Sequence, residues 1–322
     1  MADVKLVRAV PEDAERIHRM KYRAFLPLYE RYRDDETSPV KEPVDKVIRQ
    51  LNSRNTDYYL IECDGDAVGA VRAAFDGAED GRLVYRVSPL FILPEHQGCG
   101  IGFAAMTALL RRYPQAGVWR LSTILQERRN CRLYERCGFV RCGTATPVND
   151  RMTIVYYQKL QGLCYRRASE DDAQTLIGIY DAAFREDFLR YGECPGYGHT
   201  IASMRDSIAR IPKQLILLDD RPVGAISWVS RGAGEYEIRC LCVLPEHQRR
   251  GIGAQALRYM RECCPDWRRI LLITPADSMR NLCFYEKCGF RAVGTEMDGG
   301  VQVARLVLER GGERTVCSAA LQ

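Results

Sequence analysis

The sequence predicts an α+β fold made of two tandem domains, each a mixed, mostly antiparallel sheet flanked by helices. The segment LPEHQGCGIG at 93–102 returns as LPEHQRRGIG at 244–253, and NCRLYERCGF at 130–139 returns as NLCFYEKCGF at 281–290. Both pairs are separated by the same 151 positions, so one unit occurs twice in the chain. Each copy orders its strand-like and helical segments as antiparallel strands followed by a parallel strand–helix–strand crossover.

The first copy opens with Val4–Val10, which alternates as a strand, and the acidic turn after it predicts the start of a helix. Asp64-Gly65 is a hairpin signal between two apolar runs. The further elements are the two hairpin strands (Asp57–Cys63, Ala67–Phe75), a strand and a helix around the Gly-rich segment, an apolar run (Trp119–Leu125), a short helix with Tyr134 and a closing strand (Met152–Tyr157).

The second copy repeats this order from Leu163–Ala168 onward. Its first strand is offset by 159 positions instead of 151, so the stretch before the Gly-rich segment differs in length by about eight residues between the copies, which predicts a difference in a surface loop. Its later elements are a hairpin (Gln214–Leu218, Val223–Val229), an apolar run (Ile270–Thr274), a short helix with Tyr285 and a closing strand (Val301–Leu308). We therefore predict domains at 1–160 and 163–310 and a flexible tail at 311–322.

Composition narrows the class of protein. The chain has 322 residues, 46% hydrophobic and 28% charged, as in ordinary globular proteins. Its net charge is +5 and its arginine pairs are scattered, which argues against a nucleic-acid partner. The oligomeric state cannot be read from this composition.

Cysteine usage and hydropathy predict a metal-free cytoplasmic protein. There are 14 cysteines but no C-x-x-C spacing and only 4 histidines, a pattern that argues against zinc. The N-terminal residues contain no apolar signal region and no run of eighteen apolar residues occurs, so we expect neither secretion nor a membrane partner. A reducing compartment tolerates many free thiols as small buried side chains.

The Gly-rich segment has the spacing Gln-x-x-Gly-x-Gly and opens a helix in both copies. A diphosphate needs several converging N–H groups, and a helix start provides them unpaired at the positive end of its dipole. Glycine permits close approach and backbone conformations closed to other residues. A Gly-rich turn that only caps a helix is the alternative for one copy, but recurrence with the same downstream Asn and Tyr favours phosphate binding.

These residues resemble the GNAT superfamily of N-acetyltransferases: a strand, Pro-Glu-x-Gln, the Gly-rich turn, then Asn-x-x-x-Tyr-Glu-x-x-Gly-Phe. The resemblance covers nearly all of both halves. It implies acetyl-CoA as co-substrate, with its diphosphate on the turn amides and its pantetheine arm along the preceding strand. The residues implied in cofactor binding are Phe91, Ile92, Leu93, Gln97, Gly98, Cys99, Gly100, Ile101, Gly102, Phe103 and Asn130 in the first copy, and Cys242, Val243, Leu244, Gln248, Arg249, Arg250, Gly251, Ile252, Gly253, Ala254 and Asn281 in the second.

The resemblance also implies catalytic roles. Tyr134 and Tyr285 match the tyrosine that commonly protonates the leaving thiolate of CoA in this family, a step that suits a phenol because it stays protonated at neutral pH. A packed aromatic under the CoA arm is the alternative role for both.

The two copies differ where a general base is needed. Glu237 matches the strand glutamate that several histone-type family members use, whereas the first copy has Arg86 at that place. A solvated strand residue is the alternative for Glu237. Glu127 is a possible replacement base in the first copy, although an exposed loop acid is the competing interpretation.

We thus expect an acetyl-CoA-dependent N-acetyltransferase that acts on a small-molecule or peptide amine without a covalent enzyme intermediate, with the more complete catalytic set in the second half. The alternative is an acetyl-CoA-binding sensor in which one or both domains are non-catalytic. Acceptor selectivity is expected in the segments that differ most between the copies, Tyr22–Arg54 and Phe184–Ile211.

Overall fold

The computed structural model describes residues 3–311, which divide into two compact units between Gln161 and Gly162. We refer to them as the first and second domain and describe each by itself. Of the tail predicted at 311–322, residues 312–322 lie outside the described part of the chain.

The first domain begins with a strand and two helices and continues as a series of strands interrupted by two more helices. Its elements are β1 (Val4–Arg8), α1 (Ala14–Tyr32), α2 (Val44–Asn52), β2 (Thr56–Cys63), β3 (Asp66–Glu79), β4 (Arg82–Ile92), α3 (Ile101–Arg112), β5 (Ala116–Ile124), α4 (Arg128–Arg136), β6 (Val140–Asn149) and β7 (Met152–Leu160).

The second domain repeats the same order. Its elements are β8 (Leu163–Arg167), α5 (Ala173–Tyr191), α6 (Ile201–Arg210), β9 (Lys213–Leu218), β10 (Arg221–Gly232), β11 (Glu235–Val243), α7 (Ile252–Cys263), β12 (Arg269–Pro275), α8 (Met279–Lys287), β13 (Arg291–Asp298) and β14 (Val301–Glu309).

Within residues 3–311 the strands form two sheets of seven, ordered β1-β2-β3-β4-β5-β7-β6 and β8-β9-β10-β11-β12-β14-β13. The central pairs β4/β5 and β11/β12 are parallel, and the neighbouring strands pair antiparallel. This mixed α+β architecture, with the crossover helix between the two parallel strands, confirms the predicted fold class.

The two edge strands β6 and β13 were absent from the sequence-predicted elements. The β6 segment contains a glycine and a proline, and every residue of β13 is exposed. Because neither segment has a regular buried face, neither shows the alternation by which strands are recognised in a sequence.

Helices cover both faces of the first sheet. Alternate residues of β2 serve two cores, Tyr58 and Leu60 packing with α1 and α2, and Tyr59 and Ile61 packing with α3 and α4. The period of two in a strand explains this division. In the second domain, α5 and α6 likewise pack on β9, β10 and β11. None of the helices between residues 3 and 311 has the length and apolar character that crossing a membrane requires.

Each sheet opens in its middle. The parallel pairing of β4 with β5 ends at Arg86 and Arg120, although the two strands continue to Ile92 and Ile124. In the second domain the pairing of β11 with β12 ends at Glu237 and Leu271. A register shift in β3/β4 and another in β10/β11 lie beside these points, and such bulges bend the strand away from its neighbour. We call the wedge between the diverging strands the strand gap.

Candidate active site

The Gly-rich turn stands at the open end of each strand gap. Gly100 and Gly251 are the N-cap residues of the helices that follow, and their φ angles of 81° and 79° lie in the left-handed region that favours glycine. The first N–H groups of a helix lack intrahelical partners and lie at the positive end of the dipole. A Cβ added at Gly98 or Gly100 would meet no atom within 4 Å, so the space before the first turn is open. The geometry fits a phosphate group.

Gln97 and Gln248 hold the turn against the preceding strand. The Gln97 Nε2 donates to the Ile92 carbonyl at 2.9 Å, and the Gln248 Nε2 donates to the Val243 carbonyl at 3.0 Å. The amide is thereby committed to the backbone. Because this N–H is occupied, the glutamine side chain would fix the position of the turn and would not contact a diphosphate through it.

The two turns differ at one left-handed position. Gly98 has a φ of 85°, and Arg249 takes its place in the second domain with a φ of 63°. A residue with a Cβ costs about 1–2 kcal/mol in this conformation. The exposed Arg249 side chain adds positive charge to the second turn, whereas the first turn has the exposed Cys99 beside Gly98.

The residues that lead from each strand into its Gly-rich turn are hydrogen-bonded to the neighbouring strand along one backbone edge. The Leu93 amide donates to the Val68 carbonyl and the Leu244 amide to the Val223 carbonyl, both at 2.8 Å. The neighbouring Phe91 and Cys242 side chains are buried on the α1 and α5 faces. The opposite backbone edge of these strands faces the strand gap, where an extended chain that carries amide groups can pair with it.

The two predicted tyrosines are buried on the short helices next to the gap. Tyr134 is 8% exposed and Tyr285 is 9% exposed, and burial raises the pKa of both phenols well above the ordinary value. Both are therefore neutral at physiological pH. Each also packs against the phenylalanine that directly precedes the next strand, Phe139 for Tyr134 and Phe290 for Tyr285, as the packed-aromatic alternative requires.

The predicted asparagines lie one helical turn before these tyrosines. Asn130 and Asn281 are both partly buried. The Asn281 Nδ2 donates to the Thr274 Oγ1 at 3.1 Å, which connects the helix to the end of β12.

Glu237 is engaged by two arginines. The Arg231 Nε donates to the Glu237 Oε2 at 2.7 Å, and Arg239 donates to the other carboxylate oxygen. Partial burial opposes ionisation, but these cations hold the pKa of Glu237 below its ordinary value. The residue is ionised near neutral pH and closes an ion pair at the point where β11 leaves β12.

Arg86 makes the corresponding pair with reversed charges. Its Nη2 and Nε donate to the Asp76 Oδ2 at 2.7 and 3.2 Å. Ala74 faces Arg86 across the sheet as Val229 faces Glu237, so the positions correspond. Glu127, the possible replacement base, accepts hydrogen bonds from the Arg31 guanidinium and the Tyr32 hydroxyl, each at 2.7 Å.

Sequence reasoning missed a buried polar row in the second domain. Lys213, Ser227 and Cys240 face one another across β9, β10 and β11, and Tyr180 approaches from α5. These residues come from four elements, so no local spacing joins them. The Cys-x-Cys pattern of Cys240 and Cys242, in the strand that leads to the Gly-rich turn, was the available signal.

Comparison with known proteins gives one family for both halves. Residues 25–139 match the model of the Acetyltransferase (GNAT) family, and residues 213–292 match that of the Acetyltransferase (GNAT) domain. Among curated proteins, the uncharacterized protein YrkN of Bacillus subtilis is 27% identical over 113 residues, which are 35% of this chain and 59% of that protein. The matched stretch therefore spans less than two thirds of that relative.

Solved structures show the same likeness over about one domain. An acetyltransferase from Thermus thermophilus is 20% identical, with a TM-score of 0.40, and the match covers 46% of this chain and 97% of that one. Spermidine N-acetyltransferase from Vibrio cholerae, solved with CoA and spermine, is 19% identical, with a TM-score of 0.41, and the match covers 49% of this chain and 95% of that one.

Proposed function

Because this chain belongs to the GNAT acetyltransferase family, with one family domain in each half, we propose that it transfers an acetyl group from acetyl-CoA directly to a primary amine. The observation that carries the proposal is the strand gap that ends at a glycine-capped helix start, present in both domains. A gap lined by a free strand edge suits an amide-bearing arm, and a helix start suits its diphosphate.

In this proposal the cofactor lies in the same way in both domains. The diphosphate binds the amides from Gly98 to Phe103 or from Arg249 to Ala254. The pantetheine arm pairs with the backbone of Phe91–Leu93 or Cys242–Leu244, and Asn130 or Asn281 lies near that arm. The open space at Gly98 and Gly100 supports this placement in the first domain.

The proposed reaction has two proton transfers. The amine nitrogen attacks the thioester carbonyl carbon, and the bond from that carbon to the CoA sulfur breaks. Glu237, directly or through a water molecule, takes the proton of the acceptor ammonium, and Tyr285 protonates the departing thiolate. The ionised state of Glu237 and the neutral state of Tyr285 support these roles.

The first domain has the poorer catalytic set. Arg86 occupies the place of Glu237 and cannot accept a proton. This difference favours a second candidate function for the first domain alone, namely a domain that binds acetyl-CoA without turning it over. Tyr134 would then be a packed aromatic under the cofactor.

We further propose a small-molecule or peptide amine as the acceptor, selected by the segments 22–54 and 184–211, and a cytoplasmic location without nucleic-acid or membrane partners. The scattered charge and the free thiols of the sequence support this part of the proposal.

A screen for CoA release tests the function. Full-length protein and acetyl-CoA are incubated with polyamines, aminoglycosides, amino acids and peptides with free N-termini, and the liberated thiol is measured. Isothermal titration in parallel measures acetyl-CoA binding. Release with one amine class that Tyr285→Phe suppresses supports the proposal, and tight binding with no release from any class favours the sensor. Absence of acetyl-CoA binding would contradict both.

A further inference from the structure

Two thiols line the α5 side of the second strand gap. Cys240 and Cys242 lie two residues apart on β11, so both side chains leave the same face of the strand. They follow Glu237, where the pairing with β12 ends. The corresponding residues of the first domain are Pro89 and Phe91, which have no nucleophilic group.

Cys240 belongs to a buried polar group that apolar packing does not explain. Ser227 lies between Lys213 and Cys240 across three strands, and the side chains of directly opposed residues share one face of the sheet. Ser227 is 1% exposed and Tyr180 is 4% exposed, and neither hydroxyl makes a hydrogen bond of normal geometry to another described residue. Leaving such groups unpaired in a core costs about 1–3 kcal/mol each. A ligand that supplies polar atoms removes this cost.

The predicted acid of the reaction, Tyr285, interacts electrostatically with the same thiols. Burial raises the pKa of the Tyr285 phenol, and the thiols of Cys240 and Cys242 raise it further, although Tyr285 comes from α8 and the thiols come from β11. Cys240 is therefore near Tyr285, and it lies two residues before the segment Cys242–Leu244, on which the proposed function places the pantetheine arm. If Tyr285 is beside the CoA sulfur, Cys240 is beside the thioester.

The surroundings of Cys240 favour its thiolate. The Cys242 thiol lowers the pKa of Cys240, burial opposes this, and the Tyr180 hydroxyl and the Lys213 ammonium add to the lowering. Burial and the neighbouring Cys240 raise the pKa of Cys242. Of the two thiols, Cys240 is also the less buried. The thiolate is the nucleophilic form of cysteine, so Cys240 is the reactive member of the pair.

We infer that Cys240 is an acetyl acceptor in its own right: when acetyl-CoA occupies the second strand gap and no amine is present, the acetyl group moves to the Cys240 sulfur. A bond forms between this sulfur and the carbonyl carbon, and the bond from that carbon to the CoA sulfur breaks. The proton that Cys240 loses passes to solvent, and the CoA thiolate takes a proton from Tyr285, which regains one from water. One thioester replaces another, so no oxidant or energy source is needed.

This inference rests on the proposed function, since it requires acetyl-CoA in the second domain. It adds a side reaction in which the domain retains an acetyl group after CoA has left, whereas the proposed transfer to an amine does not pass through this thioester. The first domain, with Pro89 at that place, cannot do so.

Mass spectrometry of the full-length protein tests the inference without knowledge of the acceptor. The protein is incubated with acetyl-CoA and no amine, and its intact mass is measured before and after neutral hydroxylamine, which cleaves thioesters. We expect one hydroxylamine-labile acetyl group, located on the Cys240 peptide. Cys240→Ala abolishes it, whereas Cys164→Ser, which removes an exposed thiol, leaves it unchanged.

Titration of the same samples with acetyl-CoA separates the possible failures. If acetyl-CoA binds and Cys240 stays unmodified, the inference is overturned while the proposed function stands. Labelling that spreads equally over the exposed Cys99, Cys164, Cys263 and Cys283 also overturns it, because such labelling needs no site. If acetyl-CoA does not bind, the proposed function fails and the inference fails with it. Retained acetyl-CoA binding by Cys240→Ala shows that this variant is folded.

Discussion

The two domains are alike where the cofactor is expected and different where the chemistry is expected. Both have a Gln side chain on the last strand carbonyl, a left-handed glycine at the helix start, and parallel pairing that stops midway. Around the proposed thioester position, by contrast, the first domain has Arg86, Pro89 and Phe91, and the second has Glu237, Cys240 and Cys242. Binding a diphosphate depends on backbone geometry, which repeats, whereas reactivity depends on side chains, which have diverged.

One ion pair occupies corresponding places in the two domains but suits the proposed chemistry in only one of them. The pair of Asp76 with Arg86 and that of Arg231 with Glu237 occupy corresponding places with opposite polarity. Either polarity can join the two strands next to the gap. Only the second polarity puts a carboxylate on the central strand at the place where the proposed reaction needs a general base. Both domains therefore have the ion pair, but only the second has the proposed base.

The two domains also have a buried lysine and a buried tyrosine at exchanged positions. Lys21 lies as far along α1 as Tyr180 lies along α5, and Tyr58 faces Arg72 on the next strand as Lys213 faces Ser227. The first domain therefore has the lysine on the helix and the tyrosine on the strand, and the second has the reverse. Lys21 is satisfied by Glu42 at 2.8 Å, whereas Lys213 donates to backbone carbonyls of Ser207 and Ile211.

The proposed difference between the domains would be refuted most clearly if Tyr134 and Tyr285 contributed equally to turnover. With an amine substrate from the screen, we expect Tyr285→Phe to lower kcat about 10²- to 10⁴-fold, since it removes the general acid without changing the packing. Tyr134→Phe should leave total turnover nearly unchanged. Steady-state CoA release measures both. Equal losses for the two variants would mean that both domains are catalytic.

Glu237 sharpens the comparison further. In a Tyr134→Phe background, Glu237→Gln should lower kcat about 10²-fold with little change in acetyl-CoA affinity, because the base acts on the amine and not on the cofactor. The pKa of Glu237 is lowered, so the acid limb of kcat should lie below the ordinary glutamate range and should vanish in Glu237→Gln. Arg86→Gln is the matched control and should leave kcat unchanged. An identical pH profile for Glu237→Gln and the parent would refute the base role.

Alanine at the helix-start glycines tests what the domains share. We expect Gly100→Ala and Gly251→Ala each to weaken acetyl-CoA binding at one site about tenfold, because a strained start of 1–2 kcal/mol misplaces the amides. Calorimetry of the whole chain measures the two sites. Gly65→Ala is the control, since Gly65 has a φ of 95° in the hairpin between β2 and β3, away from the turn. Weakening by Gly65→Ala as well would point to general destabilisation.

The smallest expected difference concerns the starts of α1 and α5. The Asp172 carboxylate accepts from Arg166 at 2.7 and 2.9 Å and from the Ser169 amide at 2.8 Å, whereas Asp13 accepts from the Val10 amide at 2.9 Å. Asp172→Asn should therefore cost about 1 kcal/mol of helix stability and Asp13→Asn less. Hydrogen exchange of α5 and α1 peptides measures both losses.

The pH dependence of that loss has a defined sign. The Arg166 guanidinium lowers the pKa of Asp172 to about 2. The stabilisation by the ionised carboxylate is complete above the ordinary aspartate pKa and disappears as the pH falls through about 2. Asp172→Asn should thus protect the protein from this acid-dependent loss while costing stability at neutral pH. An unchanged acid transition in the variant would contradict the assignment.

Repetition made most of the fold predictable from the sequence. The paired motifs identified the strand, turn and helix at each candidate site, and apolar alternation identified the hairpins. The edge strands β6 and β13 were not predicted because their residues are mostly exposed, and an exposed strand lacks the alternation of apolar and polar residues. The side-chain partners could not be predicted for another reason. The arginines that bind Glu237 and the polar residues that face Cys240 are brought there by strand register, which local spacing does not encode.

The interrupted pairing in each sheet has a consequence for the free protein. Under the proposed function, backbone groups along the strand gap contact water until the pantetheine arm pairs with them, so acetyl-CoA would take the place of a missing strand. By thermodynamic linkage, a ligand at 100 times its Kd adds about 2.7 kcal/mol to the folded state. Melting temperature should therefore follow the supply of acetyl-CoA, and each domain should be most rigid when it is ready to react.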